Sequence, residues 1–404
     1  MKHLKWKFPI FYLSSVGIAN TGQWIYLLAI NLMVLRMTGS ALAVAVLYMI
    51  KPFARMVVGF WAGSLIDRVS TKQLMLILDI VRALLIVLIP FLDSIWLIYM
   101  LVLIIQMAGA IFEPASFTYM TLLLPEEDRK RFNALLSFVH SGAFVMGPAL
   151  AGILFLVGSL EVSLFVNVGT FLLSAGFTYL LPEHRNTISH EQNNFKFRDV
   201  LSDWNLVWSF SKIALPFVLV YMIFQGVMLM TAALDSMEVA FAKEVLYLSD
   251  SAYGTLVSIA GIGFLLGAIC TNILVKFTSA KQLMGIGTIF VAIGYVIYSI
   301  STTYLIAGIG FFILSCFLSL ANTGFLTYMQ ASIPKEIMGR ISSLYSMVAS
   351  SIQMLVVLIL GLAAQFFSVQ VVVIGGSILM FIIAGCLLLT MSRFRLSSFK
   401  KELY

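Results

Sequence analysis

Charge is what this chain has least of. Lysine and arginine number 25, and aspartate and glutamate 18, in 404 residues, together 11% of the chain. A soluble globular domain carries about 25% charged residues, so there is too little polar surface here to cover a folded body in water. The same shortage excludes a disordered chain, which needs charge to stay solvated, and a nucleic-acid binder, which needs a dense basic face. Cysteine is scarce too. Cys270, Cys316 and Cys386 all fall inside apolar stretches, which excludes a secreted disulfide scaffold. They read as small apolar fillers. The four histidines do not cluster, and no pair of histidines or cysteines has metal-ligand spacing. No metal and no cofactor are therefore expected. Neither a nucleophile elbow nor a phosphate loop is present, so an enzyme is not expected either.

What is present is apolar. Hydrophobic residues make up 61% of the chain, and mean hydropathy is +1.02. A helix crossing a bilayer needs about 20 apolar residues. Twelve stretches meet that need, at 9–34, 42–66, 73–92, 95–121, 132–157, 161–181, 213–236, 253–276, 282–300, 302–330, 341–365 and 369–391. Barrel strands alternate over about ten residues, and these runs are longer and uniformly apolar. In hydrocarbon every backbone polar group needs an internal partner, so the spans are helices. The expected fold is an all-α integral membrane protein of twelve transmembrane helices. The first stretch is too long for a signal peptide and runs straight into further spans, so no cleavage is expected.

Most of the 25 basic residues fall on one side of this arrangement. They include Lys2, Lys5 and Lys7 before the first span, Arg129, Lys130 and Arg131 in the fourth connection, and Arg393, Arg395, Lys400 and Lys401 after the last span. The opposite side has only Arg36 and Lys243. Positive charge marks the cytoplasmic face, so both termini are expected there.

One long polar stretch, 182–212, separates two apolar halves, 1–181 and 213–404. Sliding the chain by 209 residues brings Lys72-Gln73-Leu74-Met75 onto Lys281-Gln282-Leu283-Met284 and Thr118-Tyr119-Met120 onto Thr327-Tyr328-Met329. The same shift brings Pro125, Glu127, Arg131 and Gly152 onto Pro334, Glu336, Arg340 and Gly361. These matches include polar loop residues, so they point to an internal repeat. Six helices per half is an even number, so the halves share one orientation. That is the pattern of a transporter with two pseudo-symmetric six-helix bundles rocking about a central site.

Charges inside spans are expensive and face partners or water. Lys51 and Arg55 stand four apart on one face of helix 2, and Asp79 and Arg82 three apart on helix 3. Glu113 lies in helix 4. Two readings remain for these residues. Asp79, Arg82 and Glu113 form an ion-pair network that locks helices 3 and 4, or Glu113 binds and releases a proton as the cavity changes sides. A carboxyl balanced between apolar surroundings and a nearby arginine suits that second role. His140 in helix 5 reads as a hydrogen-bonded packing residue. Asn20, Gln23, Trp24 and Asn322 are candidate cavity residues, with the amides able to hydrogen-bond a cargo. Asp235 and Glu238 fall at the outer end of helix 7, ahead of Glu244 and Asp250, and read as a solvated acidic group.

Four segments resemble the major facilitator superfamily, and within it the drug-efflux branch of macrolide and enterobactin exporters. The first is Gly63-Ser64-Leu65-Ile66-Asp67-Arg68-Val69-Ser70-Thr71-Lys72. The resemblance implies a gate, in which Gly63 allows close helix approach and Asp67 meets a helix N-terminus, with Arg68 and Lys72 as the basic members. The second is Asp79-Ile80-Val81-Arg82-Ala83, and the third Phe112-Glu113-Pro114-Ala115 followed by Leu124-Pro125-Glu126-Glu127 and Asn133-Ala134-Leu135. The fourth, Gly142-x4-Gly147-Pro148-x3-Gly152, is similar to the helix 5 motif of family exporters. Helix 8 offers Gly263-x3-Gly267 as its partner surface. Gln23 precedes Trp24 where many relatives have an aspartate, which removes one usual acidic site.

The resemblance implies a secondary transporter that exports hydrophobic or amphipathic small molecules, of drug or macrolide type, by alternating access. Proton entry would drive cargo exit as an antiport, giving antibiotic resistance. The alternatives are export or flipping of a lipid, siderophore or other native metabolite, and more remotely a membrane-embedded enzyme or receptor. It further implies a multi-pass protein of a bacterial plasma or inner membrane, acting as a monomer on a small molecule and protons, with no nucleic-acid partner.

Overall fold

A computed structural model describes residues 6–59, 61–62, 65–66, 69–124, 126–183, 207–275, 277–333 and 335–393. Twelve long helices follow one another: α1 (Lys7–Thr38), α2 (Ala41–Gly59), α3 (Thr71–Leu88), α4 (Ile95–Leu123), α5 (Glu126–Val157), α6 (Leu160–Tyr179), α7 (Leu215–Ala240), α8 (Asp250–Leu274), α9 (Ala280–Ser299), α10 (Tyr304–Ser332), α11 (Lys335–Phe366) and α12 (Val369–Arg393). Each is long and apolar enough to cross a membrane, and no strand occurs among the described residues. The chain is an all-α, multi-pass membrane protein. Large apolar side chains such as Leu84, Trp96, Leu156 and Phe366 stand exposed on the helices, as a hydrocarbon solvent allows.

Local chemistry sets the helix ends. α1 stops at Gly39, whose backbone is left-handed (φ 60°) and whose N–H reaches the Leu35 carbonyl at 2.7 Å. Ser70 caps α3 by accepting from the Gln73 N–H, and Ser279 caps α9 in a capping box with Gln282. Pro52, Pro114 and Pro148 sit inside α2, α4 and α5. In α4 the Thr118 hydroxyl donates to the Pro114 carbonyl at 2.9 Å. α7 runs on past the expected end at 236 and closes in a π-turn, Phe241–Val245.

The chain forms two compact units, Met1–Ser189 with Tyr247–Gly261, and His190–Leu246 with Ile262–Tyr404. In the first, α1 packs on α5 and α6, α3 on α4 and α6, and α2 on α4. Tyr12, Tyr119 and Phe132 form its aromatic core. In the second, α9 and α10 make the tightest pair. Side chains built at Gly287 and Gly294 on α9 would strike the backbone of Ala321 and Leu314 on α10, so glycine lets these helices touch.

The repeat seen in the sequence extends to the helix boundaries. α2 and α8, α3 and α9, α4 and α10, α5 and α11, and α6 and α12 each begin 209 residues apart, as from Thr71 to Ala280. α4 and α10 both have 29 residues, and α5 and α11 both have 32.

Candidate functional site

The first unit contains a cavity of about 360 Å³, within the size range of small-molecule sites. α1 contributes Val16, Ala19, Asn20 and Gln23, and α2 contributes Lys51 and Arg55. From α4 come Gln106, Gly109, Ala110, Phe112, Glu113, Ser116, Phe117 and Met120, with Arg82 from α3 and Leu136 and His140 from α5. The α4 positions recur at helical spacing, so one stripe of that helix faces the space.

Arg55 donates through Nη2 to Glu113 Oε2 at 2.8 Å, tying α2 to α4. The two side chains are 52% and 70% exposed, so the pair stands open inside the cavity. Lys51, one turn from Arg55, is also exposed and lines the same space. Asn20 Nδ2 lies 2.8 Å from His140 Nδ1. As placed, the amide donates and the imidazole accepts, so the ring proton sits on Nε2. His140 is hydrogen-bonded as expected, but it is exposed and lines the cavity instead of being packed.

Asp79 and Arg82 are buried instead. Their side chains are 0% and 6% exposed and form a direct ion pair. Ser174 on α6 donates to the other Asp79 oxygen at 2.7 Å, and Ser174 is itself hydrogen-bonded to Ser15 on α1 at 2.9 Å. The Arg82 guanidinium is sandwiched between Phe112 (4.5 Å) and Phe171 (4.4 Å). This cluster joins α1, α3, α4 and α6. Glu113 stands outside it, because its ion-pair partner comes from α2. The three-membered network, one of the two readings of Asp79, Arg82 and Glu113, is replaced by two separate pairs.

The other candidates are distributed more widely. Trp24 is stacked on Phe144 at 4.5 Å and does not line the cavity. Asn322 is exposed on α10, in the second unit. Lys72 lies over the Tyr179 ring at 5.5 Å, while Gly63, Asp67 and Arg68 lie outside the described residues. The helix 5 motif divides by neighbour. A side chain at Gly147 would strike Trp24 and the Thr21 carbonyl of α1, and one at Gly152 would meet the Ser251 carbonyl on α8. Pro148 presents its carbonyl to Gly254 of α8, and Gly142 faces open space. Gly263 and Gly267 are not the partners expected on α8, since they meet Phe312 and Cys316 of α10. Gly254 and Gly261 take that place, against Gly152 and Phe144. The acidic group on α7 also differs from expectation. Asp235 sits inside the longer helix and accepts from the Tyr295 hydroxyl at 2.5 Å, while Asp250 pairs with Arg36.

Twelve apolar membrane-spanning helices, with a polar, charge-bearing cavity in the first unit, are the build of a membrane transport protein. The chain belongs to the Major Facilitator Superfamily, whose family model matches residues 12–357. It is 25% identical over 389 residues to the uncharacterized MFS-type transporter YfiS of Bacillus subtilis (strain 168), covering 93% of this chain and 89% of that one. It is 29% identical over 128 residues to the multidrug resistance protein MdtH of Proteus mirabilis (strain HI4320), covering 31% of this chain and 32% of MdtH. The crystal structure of the nucleoside transporter NupG superposes with a TM-score of 0.75 at 12% identity, covering 96% of this chain and 100% of that one. That likeness is one of fold. The chain is thus a transporter carrying a small molecule across a membrane, and it is not an enzyme.

Proposed function

We propose that the protein exports amphipathic small molecules by exposing the cavity of its first unit alternately to the two sides of a bacterial plasma membrane. Protons are the coupling ion and Glu113 is their site. The observation that carries this reading is the open Arg55–Glu113 pair. An exposed ion pair contributes about 0–1 kcal/mol to stability, so the fold gains little from it. A carboxylate that can take a proton while its arginine turns to another partner is, by contrast, what coupling requires. The outward direction is supported by a partial likeness, 33% identity over 118 residues, to the putative bacilysin exporter BacE of Bacillus subtilis (strain 168). Both termini are taken as cytoplasmic from the distribution of lysine and arginine, and the working unit as a monomer. Asp67 and Arg68, with Gly63 and Lys72, are proposed to gate the cytoplasmic end.

The test uses the full chain in proteoliposomes under an imposed pH gradient, with a panel of antibiotics, dyes and metabolites as cargo. Glu113→Gln is expected to abolish uphill transport and leave thermal unfolding unchanged. Undiminished uphill transport by that variant would remove Glu113 from the mechanism.

A further inference from the structure

The charges in the cavity do not balance. Arg55 is paired with Glu113 and Arg82 with Asp79, while Lys51 has no carboxylate within 4 Å among the described residues. Lys51 stands in a chamber with apolar walls that include Val16, Ala110 and Phe112. A cation so placed keeps only part of its hydration and is best served by a further counter-charge. Resting on the proposal that this cavity is the cargo site, we infer that the cargo is a small amphipathic organic anion. Its carboxylate, sulfonate or phosphate sits on Lys51 and Arg55, and its apolar body lies against Phe112 and Phe117. One charge-assisted hydrogen bond corresponds to about a tenfold to hundredfold preference over a neutral analogue.

Glu113 and the bound anion then share Arg55. The charged groups facing Glu113 are Lys51 and Arg55 from α2, His140 from α5, and Arg82 from α3, which Asp79 already neutralises. α1 adds the neutral amides of Asn20 and Gln23 and the phenol of Tyr12.

The test is equilibrium binding to the full chain in nanodiscs of zwitterionic lipid. The probes are 1-naphthylacetate, 1-naphthylacetamide and 1-naphthylmethylammonium, one ring system carrying negative, zero and positive charge. The anion is expected to bind about 10- to 100-fold tighter than the amide. Lys51→Gln is expected to shrink the anion-to-amide ratio about tenfold, and Lys51→Arg to keep it. Displacement of the anion by added phosphatidylglycerol would support the anion site and assign it to a lipid headgroup. Equal binding of the three probes, or preference for the cation, overturns the anionic cargo. The cavity reading survives that result if Gly109→Trp, which fills open space in the cavity, abolishes the binding. No binding by any probe, or binding untouched by Gly109→Trp, overturns the cavity reading and the inference with it.

Discussion

Replacing Asp79 by alanine would leave the Arg82 guanidinium in place between Phe112 and Phe171 without its carboxylate. Asp79 is fully buried and Arg82 only 6% exposed at the cavity wall, so water can replace little of the lost contact. Breaking a buried pair by removing one partner costs about 3–5 kcal/mol, because a desolvated charge is left behind. The Leu78 carbonyl, which accepts from Arg82 Nε at 3.4 Å, is a weak substitute. The ring contacts are present before and after the change and do not alter the difference. Asp79→Ala is therefore expected to destabilise the first unit by about 3–5 kcal/mol, whereas Glu113→Gln should cost less than about 1 kcal/mol. A double variant, Asp79→Leu with Arg82→Met, removes both charges and is expected to return close to the parent. Denaturant titration of the four proteins in mixed micelles, followed by tryptophan fluorescence, measures all of this. A loss below about 1 kcal/mol for Asp79→Ala, or a double variant as unstable as the single one, would refute the reasoning.

Three further outcomes follow from the packing. Gly147→Val should separate α1 from α5 and cost about 1–3 kcal/mol, with a shift in Trp24 emission as its stack on Phe144 opens; unchanged emission and stability would count against the close contact. Ser70→Ala and Ser279→Ala remove equivalent caps of α3 and α9 and should each cost about 1 kcal/mol, read by the same titration. Tyr295→Phe takes away the hydroxyl that donates to Asp235 and should cost about 1–3 kcal/mol, while Asp235→Asn keeps an acceptor for that hydroxyl and should cost less.

Spans, repeat and helix order were legible because each rests on local chemistry. A run of apolar residues states its own solvent, and a repeat in loop residues such as Lys72-Gln73 and Lys281-Gln282 states its own register. The Asp79–Arg82 pair was legible for the same reason, since three residues apart on a helix is one face. The partner of Glu113 was not. It comes from α2, 58 residues away, and spacing within a helix carries no information about which neighbour turns toward it. Gln106 could have been found, because it stands two turns before Glu113 on one stripe. The end of α7 was misread because Asp235 and Glu238 suggest a loop, and the hydroxyl that satisfies Asp235 lies on another helix.

The repeat also separates what the fold needs from what the site needs. At a shift of 209 residues, Asp79 and Arg82 meet Thr288 and Val291, and Lys51, Arg55, Glu113 and His140 meet Ala260, Phe264, Asn322 and Ala349. The helices that carry these replacements begin at equivalent positions, so the charges are not required to form the scaffold. The second copy holds α9 to α10 by glycine contacts at Gly287 and Gly294, where the first holds α3 by a buried ion pair and its serine. A buried pair and an apolar seam are thus alternative solutions to one packing problem, which is why the double replacement at 79 and 82 should be tolerated. Lys51, Arg55 and Glu113 have no such structural debt to discharge. They are exposed, their counterparts are uncharged, and the scaffold recurs without them. Each such charge costs about 2.5–3.5 kcal/mol on insertion scales, a cost that contact with a charged cargo and a proton, as proposed above, would offset.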